Sequence, residues 1–192
     1  MLALWVLMKT TTLVLLLLIP AGAVLTCAAQ SLSDLDPALR TALLHDAACA
    51  RDANTTNAPA ASPSVVEVTR FPAGKQTGII VVPRGLCPCE NGNCPTFVYL
   101  HSGEKYRLTL QSDVASLRPV RRSSHLGFPD LSGKSQVSAS QSETVVYEWD
   151  GSDYHPMLCA TITQHPGQKR PAIVKHACDK SIKGQKVSST PN

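Results

Sequence analysis

The sequence predicts an α+β domain: an N-terminal helix packed on a meandering antiparallel β-sheet of about six to eight strands, braced by disulfides. Leucines recur at helical spacing early in the chain. Short β-branched runs separated by turn residues follow from Val65 onward. Six cysteines lie beyond a leader-like N terminus, a pattern typical of disulfides. About 160 residues remain after the leader, which is enough for one domain with its own core, and a curved or barrel-like sheet is also compatible.

Residues 1–29 are predicted to be a signal peptide. Lys9 precedes an uncharged apolar run from Thr10 to Ile19, and small residues follow, which is the order of parts in an export leader. A transmembrane helix would need about 20 apolar residues, and the charge of Lys9 fits a processed leader better. We therefore expect a secreted or periplasmic protein.

Cleavage is expected after Ala29, with cleavage after Ala23 as the alternative. The small residues Cys27-Ala28-Ala29 suit the specificity positions before the cut. Lipidation of Cys27 is a second alternative, since the four residues ending at Cys27 loosely resemble a bacterial lipobox, although Thr26 is a poor residue before that cysteine. A membrane is an expected partner only if Cys27 carries such an anchor.

The helix is predicted from about Asp34 to Cys49, within an N-terminal segment spanning residues 30–53. Ser33 suits the N-cap, Asp36 follows three residues later, and Pro37 lies in the first turn. One face carries leucines at positions 32, 35, 39 and 43. We expect this face to pack in the core and not to bind a partner.

A polar, proline-rich linker over residues 54–64 leads to a β-rich body over residues 65–163. Short turns, such as Asp150-Gly151, join neighbouring strands, which must then be antiparallel. Residues 164–192 are predicted to be a basic, largely mobile tail, pinned in its middle by Cys178. The expected strands are Val65–Phe71, Thr77–Val82, Thr96–Leu100, Tyr106–Leu110, Gln136–Ser140, Glu143–Trp149 and Tyr154–Thr163.

The chain has seven cysteines, and removal or modification of Cys27 leaves six that can pair completely. Spacing alone does not choose among their pairings. We favour a local bridge within the 87–94 loop, a bridge from the remaining member of that trio to Cys159 or Cys49, and a bridge that ties Cys178 to the body. The predicted disulfide residues are Cys49, Cys87, Cys89, Cys94, Cys159 and Cys178.

Composition argues against several function classes. The formal net charge is +4 and aromatic residues make up 5% of the chain. No basic helix and no stretch that mixes aromatic and basic residues is present, so no nucleic-acid partner is expected. A zinc site at the cysteine trio, completed by His101 or Cys159, is disfavoured by the oxidising compartment. We predict no metal and no cofactor.

No catalytic motif emerges from the sequence. A Gly-x-Ser-x-Gly elbow and a His-Glu-x-x-His pair are both missing, so no catalytic residue is assigned. A small cell-wall or glycan hydrolase is kept as an alternative, because several carboxylates could converge in space and work with His125 or His155. These carboxylates are Asp130, Glu143, Glu148, Asp150 and Asp153.

Three segments carry distinctive motifs: Cys87–Leu100 with its Cys-Pro-Cys and Asn-Cys-Pro elements, Gly127–Leu131, and Val146–Tyr154. Together these segments resemble small exported bacterial proteins, notably of Acidobacteria. This chain has Trp149 where those proteins usually have Phe. The resemblance covers about Leu35 to Cys159 and brings no catalytic residues with it.

The resemblance implies a scaffold whose cysteine loop stiffens one exposed rim, and a rigid, exposed rim suits binding. We therefore expect a non-enzymatic, binding or inhibitor-like protein whose partner is a protein or an envelope component. An envelope-anchored structural lipoprotein is the remaining alternative. The predicted contact residues are Glu90, Asn91, Asn93, His101 and His125.

Overall fold

A computed structural model describes residues 27–49 and 65–178. These residues form ten strands, one 3₁₀ turn over Leu32–Asp34 and the helix α1 over Pro37–Asp46. The strands are β1 Cys27–Ser31, β2 Val65–Ala73, β3 Gln76–Val82, β4 Cys94–Ser102, β5 Lys105–Val114, β6 Ser116–His125, β7 Phe128–Gln136, β8 Gln141–Trp149, β9 Tyr154–Thr163 and β10 Ala172–His176.

The predicted fold class is confirmed: one short helix accompanies antiparallel sheet, and cysteines pair as disulfides. The strands divide between two five-stranded meanders, β1-β2-β3-β4-β5 and β10-β9-β8-β7-β6. Only Ala115 separates β5 from β6, so the chain passes directly from the first sheet to the second. Two stacked sheets bury apolar surface between them that one wide sheet would leave open on both faces.

The helix begins later than predicted because a different residue caps it. The carboxylate of Asp36 accepts hydrogen bonds from the backbone N–H groups of Ala38 at 3.0 Å and Leu39 at 3.1 Å, and Pro37 occupies the first turn. Ser33, the predicted cap, lies instead within the 3₁₀ turn. Leu39 and Leu43 are completely buried, so the leucine face does pack in the core.

The first sheet is the middle of three layers. On β3, Val81 packs towards the helix while Ile80 packs towards the second sheet. On β4, Tyr99 and Val98 divide in the same way. Burial on both faces accounts for the continuous apolar runs of these two strands, which do not alternate with polar residues.

Several sequence predictions need correction or extension. The strand predicted over residues 136–140 is wrong, because Ser138 and Gln141 exchange backbone hydrogen bonds in a turn. Strands β1, β6, β7 and β10 were not predicted, and β10 lies inside the segment assigned to the tail. Strand β1 pairs with β2 across the cleavage position predicted after Ala29. Residues 1–26, residues 50–64 with the predicted linker, and residues 179–192 lie outside the described part of the chain.

The disulfides follow the favoured pattern. Cys89 pairs with Cys94 within the loop, and Cys87 pairs with Cys49 beyond the helix. Cys178 pairs with the buried Cys159 of β9. The third bridge fastens the chain just after β10 to the second sheet. No helix among residues 27–49 and 65–178 has the length and apolar character needed to cross a membrane.

Candidate functional site

The two stacked sheets have two distinct ends. At the first, which we call the hairpin end, the β2–β3, β4–β5, β6–β7 and β8–β9 turns come together. The Gly74 N–H donates to the Gly127 carbonyl at 3.0 Å, which joins the β2–β3 turn to the β6–β7 turn. The other end carries the cysteine loop, residues 87–94. Each end therefore combines loops from both sheets.

The predicted contact residues do not form one surface. Glu90, Asn91 and Asn93 belong to the cysteine loop, while His101 and His125 lie at the hairpin end. These ends are separated by the length of β4, about 26 Å at roughly 3.3 Å per residue. A ligand that contacted all five residues would have to span the domain.

The cysteine loop is a rigid turn. The backbones of Glu90 and Asn93 exchange two hydrogen bonds of 2.8 Å, and Asn91 and Gly92 both take positive φ, 50° and 80°, as an Asn-Gly hairpin turn requires. The Asn93 amide donates to the Gln136 carbonyl at 2.8 Å and accepts from the Gln136 N–H at 2.7 Å. Asn93 therefore joins the two sheets, whereas Glu90 and Asn91 are exposed to solvent.

His101 is engaged with its neighbour on the adjacent strand. Its ring stacks on Tyr106, with centroids 4.4 Å apart and planes 13° apart. The two residues are direct cross-strand partners on β4 and β5, so the stack supports the β4–β5 hairpin.

His125 is the one predicted residue that lies in a chemically distinctive cluster. Leu126 and Gly127 form a tight turn with φ of 52° and 82°, which places His125 opposite Phe128. The register between β6 and β7 shifts so that residues 120–123 all lie opposite Asp130. This bulge brings extra side chains over Asp130.

Three polar contacts define the cluster. The Ser123 hydroxyl donates to one carboxylate oxygen of Asp130, and His125 Nδ1 lies 2.8 Å from the other. His125 Nε2 lies 3.5 Å from Oε2 of Glu148. Asp130 is only 2% exposed, while the side chains of His125 and Glu148 are 47% and 30% exposed. Asp130 therefore anchors the cluster in the interior, whereas His125 and Glu148 are accessible to solvent.

The neighbouring carboxylates change the proton affinity of His125. Its hydrogen bond with Asp130 is the largest influence and raises the pKa of His125. Desolvation opposes this rise, and the charges of Glu148 and Asp130 add to it. The Ser123 hydroxyl is directed to Asp130 and not to the imidazole. The cluster is therefore not a serine nucleophile activated by a histidine, which would need the hydroxyl on the ring nitrogen.

Two of the carboxylates considered for hydrolysis, Asp130 and Asp150, are already engaged in the fold. Asp130 is buried beneath Ser123 and His125. Asp150 is committed to the β8–β9 turn, where it accepts the backbone N–H groups of Ser152 and Asp153 at 2.8 Å each. These hydrogen bonds lower the pKa of Asp150 to about 2. A glycosidase would need two carboxyl groups facing one substrate.

A groove of about 590 Å³ lies between β2 of the first sheet and β6 of the second. Its apolar lining comes from Phe71, Pro72, Pro119, Val120 and Pro129, with Gly74 and Gly127 nearby. Its polar lining consists of Arg70, Arg121, Arg122, Ser123 and Ser124. The groove thus combines apolar walls with three arginines and has no acidic residue in its lining.

The arginines of this groove are not neutralised by neighbours. Within the described residues, the arginines in ion pairs are Arg84, with Glu67, and Arg107, with Asp153. Arg121 and Arg122 are exposed on the β6 bulge. Sequence reasoning missed this groove: the Arg121-Arg122 pair was visible, but its position opposite β2 depends on how the two sheets stack.

Comparison with models of protein families, with curated proteins and with solved structures gives no match to this chain. The resemblance to exported bacterial proteins therefore stays a prediction. The three disulfides indicate a non-reducing environment outside the cytoplasm.

Proposed function

We propose that this protein is an exported, non-enzymatic binding protein whose groove between β2 and β6 holds a phosphate group of an envelope component. The observation that carries the proposal is the unneutralised arginine pair Arg121 and Arg122 in a groove without acidic residues. Arg70 adds a third positive charge to the lining. Guanidinium groups match phosphate oxygens through paired hydrogen bonds.

The apolar part of the lining strengthens this attraction. Phe71, Pro72 and Val120 give the groove an apolar wall, and charge interactions grow as the local dielectric falls. Ser124 is exposed beside the arginines and supplies a hydroxyl donor. The positive charge of the groove, its shape and its hydrogen-bond donors therefore all favour a phosphate group as the ligand.

The chemistry of the lining supports binding over catalysis. General acid–base catalysis needs a side chain that exchanges a proton near neutral pH. The residues of the groove are Arg, Ser, Pro, Gly, Phe and Val, and none of these side chains does so. The hydrolase alternative gains no support from this groove.

Export supports an envelope component as the ligand. Three disulfides fit a secreted or periplasmic protein, and phosphate groups are abundant on envelope lipids and polymers. The envelope-anchored lipoprotein alternative would hold the same groove close to such groups, and the intact mass of the mature N terminus would show whether Cys27 carries a lipid.

The proposal is tested by co-sedimentation with phosphatidylglycerol vesicles at low salt. The double variant Arg121→Gln/Arg122→Gln should bind at least tenfold more weakly, since the loss of even one charged hydrogen bond costs roughly 1.5 kcal/mol. The matched control is Lys169→Gln/Arg170→Gln, which removes the same charge from the exposed β9–β10 loop. It should bind like the unaltered protein.

Two further samples identify the ligand chemistry. Inorganic phosphate should compete with the vesicles, and phosphatidylcholine vesicles should bind weakly. If both double variants lost vesicle binding equally, the vesicles would be attracted unspecifically by the positive charge of the protein, and the proposal would be overturned. Tight binding to a polyglutamate peptide without binding to vesicles would indicate that the ligand is an acidic protein segment and not an envelope component.

A further inference from the structure

We propose that His125 and Glu148 bind a divalent transition-metal ion such as Zn²⁺, with Asp130 as the residue that positions the imidazole. The donor atoms of His125, Asp130 and Glu148 all lie within 4.8 Å of one another. The site lies on the face of the second sheet that points away from the first sheet. Ser123 lines the groove and also donates to Asp130, so the two sites are adjacent, but the metal proposal does not depend on a phosphate in the groove.

The separation of the two ligands fits one metal ion. His125 Nε2 and Glu148 Oε2 are 3.5 Å apart, which is long for a hydrogen bond. Two ligands of a tetrahedral zinc ion lie roughly 3.4 Å apart when each bond is about 2.1 Å. An ion can therefore be bound between these atoms with small side-chain movements.

The surroundings of His125 leave its Nε2 atom as the nitrogen that can bind a metal ion. An ionised carboxylate only accepts hydrogen bonds, so the 2.8 Å contact with Asp130 places the proton on Nδ1. The lone pair of the neutral ring is then on Nε2, which faces Glu148. Metal-binding histidines in proteins commonly have such a carboxylate behind them. The Ser123 hydroxyl in turn holds Asp130.

Strand geometry explains why Glu148 lies beside His125. Leu131 on β7 pairs with Tyr147 on β8, and both point into the core between the sheets. Side chains alternate along a strand, so Asp130 and Glu148 point together to the opposite face. The β6–β7 turn brings His125 over both. The partial exposure of His125 and Glu148 leaves room for water or a ligand at the remaining metal positions.

A second histidine–carboxylate pair at the same end provides the control. His155 Nε2 lies 2.8 Å from Asp150 Oδ2, a hydrogen-bond distance that is too short for an ion between them. Asp150 is already occupied by the backbone of its own turn. His155 therefore has the same residue types but not the geometry of the proposed site.

The test is isothermal titration calorimetry of the purified, disulfide-bonded protein with ZnCl₂ and with NiCl₂, together with NMR detection of the histidine rings. One ion should bind per chain, and the His125 ring signals should shift. His125→Asn and Glu148→Gln should each weaken binding at least tenfold, whereas His155→Asn should leave it unchanged. Both affected side chains are partly exposed, so these variants should stay folded.

Asp130→Asn examines the positioning role. It should weaken zinc binding by roughly 10- to 100-fold, as the loss of such supporting groups commonly does, and Ser123→Ala should give a smaller loss in the same direction. If Asp130→Asn does not fold, the His125, Glu148 and His155 variants decide the proposal. Absence of binding at 1 mM zinc, taken as roughly the weakest affinity of interest, or equal losses in His125→Asn and His155→Asn, would overturn it.

Discussion

Phe71 on β2 lies directly across from Gly78 on β3, and its ring covers the position where a side chain at Gly78 would begin. Phe71 belongs to the core between the two sheets. The glycine is therefore required by the close approach of an aromatic ring, and not by its backbone angles.

Gly78→Ala should destabilise the protein by about 1–3 kcal/mol, because the added methyl group displaces the Phe71 ring from its place in the core. Urea unfolding followed by circular dichroism measures the change. Thr77→Ala, at the neighbouring position, should change the free energy of unfolding by less than about 0.5 kcal/mol. In the double variant Phe71→Ala/Gly78→Ala the losses should be less than additive; strict additivity would show that the two residues do not interact.

Asn93→Ala should cost about 2 kcal/mol of stability, since two hydrogen bonds to the Gln136 backbone are lost and those backbone groups are left without their partner. Thermal unfolding of the oxidised protein measures the loss. Glu90→Gln, in the same loop and exposed, is the control and should unfold like the unaltered protein. A neutral Asn93→Ala variant would mean that this contact does not hold the two sheets together.

Removal of the Cys159–Cys178 disulfide should cost about 3 kcal/mol, the value expected for a closed loop of this size. The replacement Cys159→Ala/Cys178→Ala should also accelerate hydrogen exchange of the β10 amides, because all five residues of β10 are exposed and, among the described strands, β9 alone pairs with it. The exchange rates of the β4 amides should rise only as much as the lower global free energy of unfolding requires. Unchanged protection of β10 would show that its pairing does not depend on the bridge.

The position of signal cleavage has a structural consequence. Strand β1 makes five pairs with β2, from Cys27 with Thr69 to Ser31 with Val65. A chain that begins at Gln30 keeps two of these pairs and should be less stable than one that begins at Val24, by about 1–2 kcal/mol. The longer chain should carry Cys27→Ser to avoid a free thiol.

Urea unfolding of the two purified chains measures that difference, and hydrogen exchange of the β2 amides from Val65 to Thr69 locates it. Equal stability of the two chains would mean that β1 contributes little to the fold. The intact mass of the exported protein then identifies which of the two forms the cell makes.

Prediction from sequence succeeded where the signal was local. The helix followed from leucine spacing and an acidic cap, although the cap is Asp36 and not Ser33. Strands β3 and β4 followed from apolar, β-branched runs. Strand β6 escaped prediction because it is an edge strand that contains Pro119 and three arginines, and such a composition is usual at an edge but carries no alternating pattern.

The candidate sites, too, depend on contacts between segments that are far apart in the chain. The sequence predicts His125 as a contact residue, and the structure adds Asp130 and Glu148 through strand register. The groove of Arg121 and Arg122 depends on the β6 bulge and on the stacking of β6 near β2. Neither the His125 cluster nor the arginine groove can be predicted from the spacing of residues along the chain.

By itself, the sequence determined the helix, most of the strands and the cysteines that form the three disulfides, because helical spacing, β-branched runs and turn residues act over a few neighbouring positions. Tertiary structure alone decided the division into two sheets, the pairing of the cysteines, and the meeting of His125 with Asp130 and Glu148. These features depend on register and on contacts between segments far apart in the chain, which are fixed only when the apolar faces are buried together.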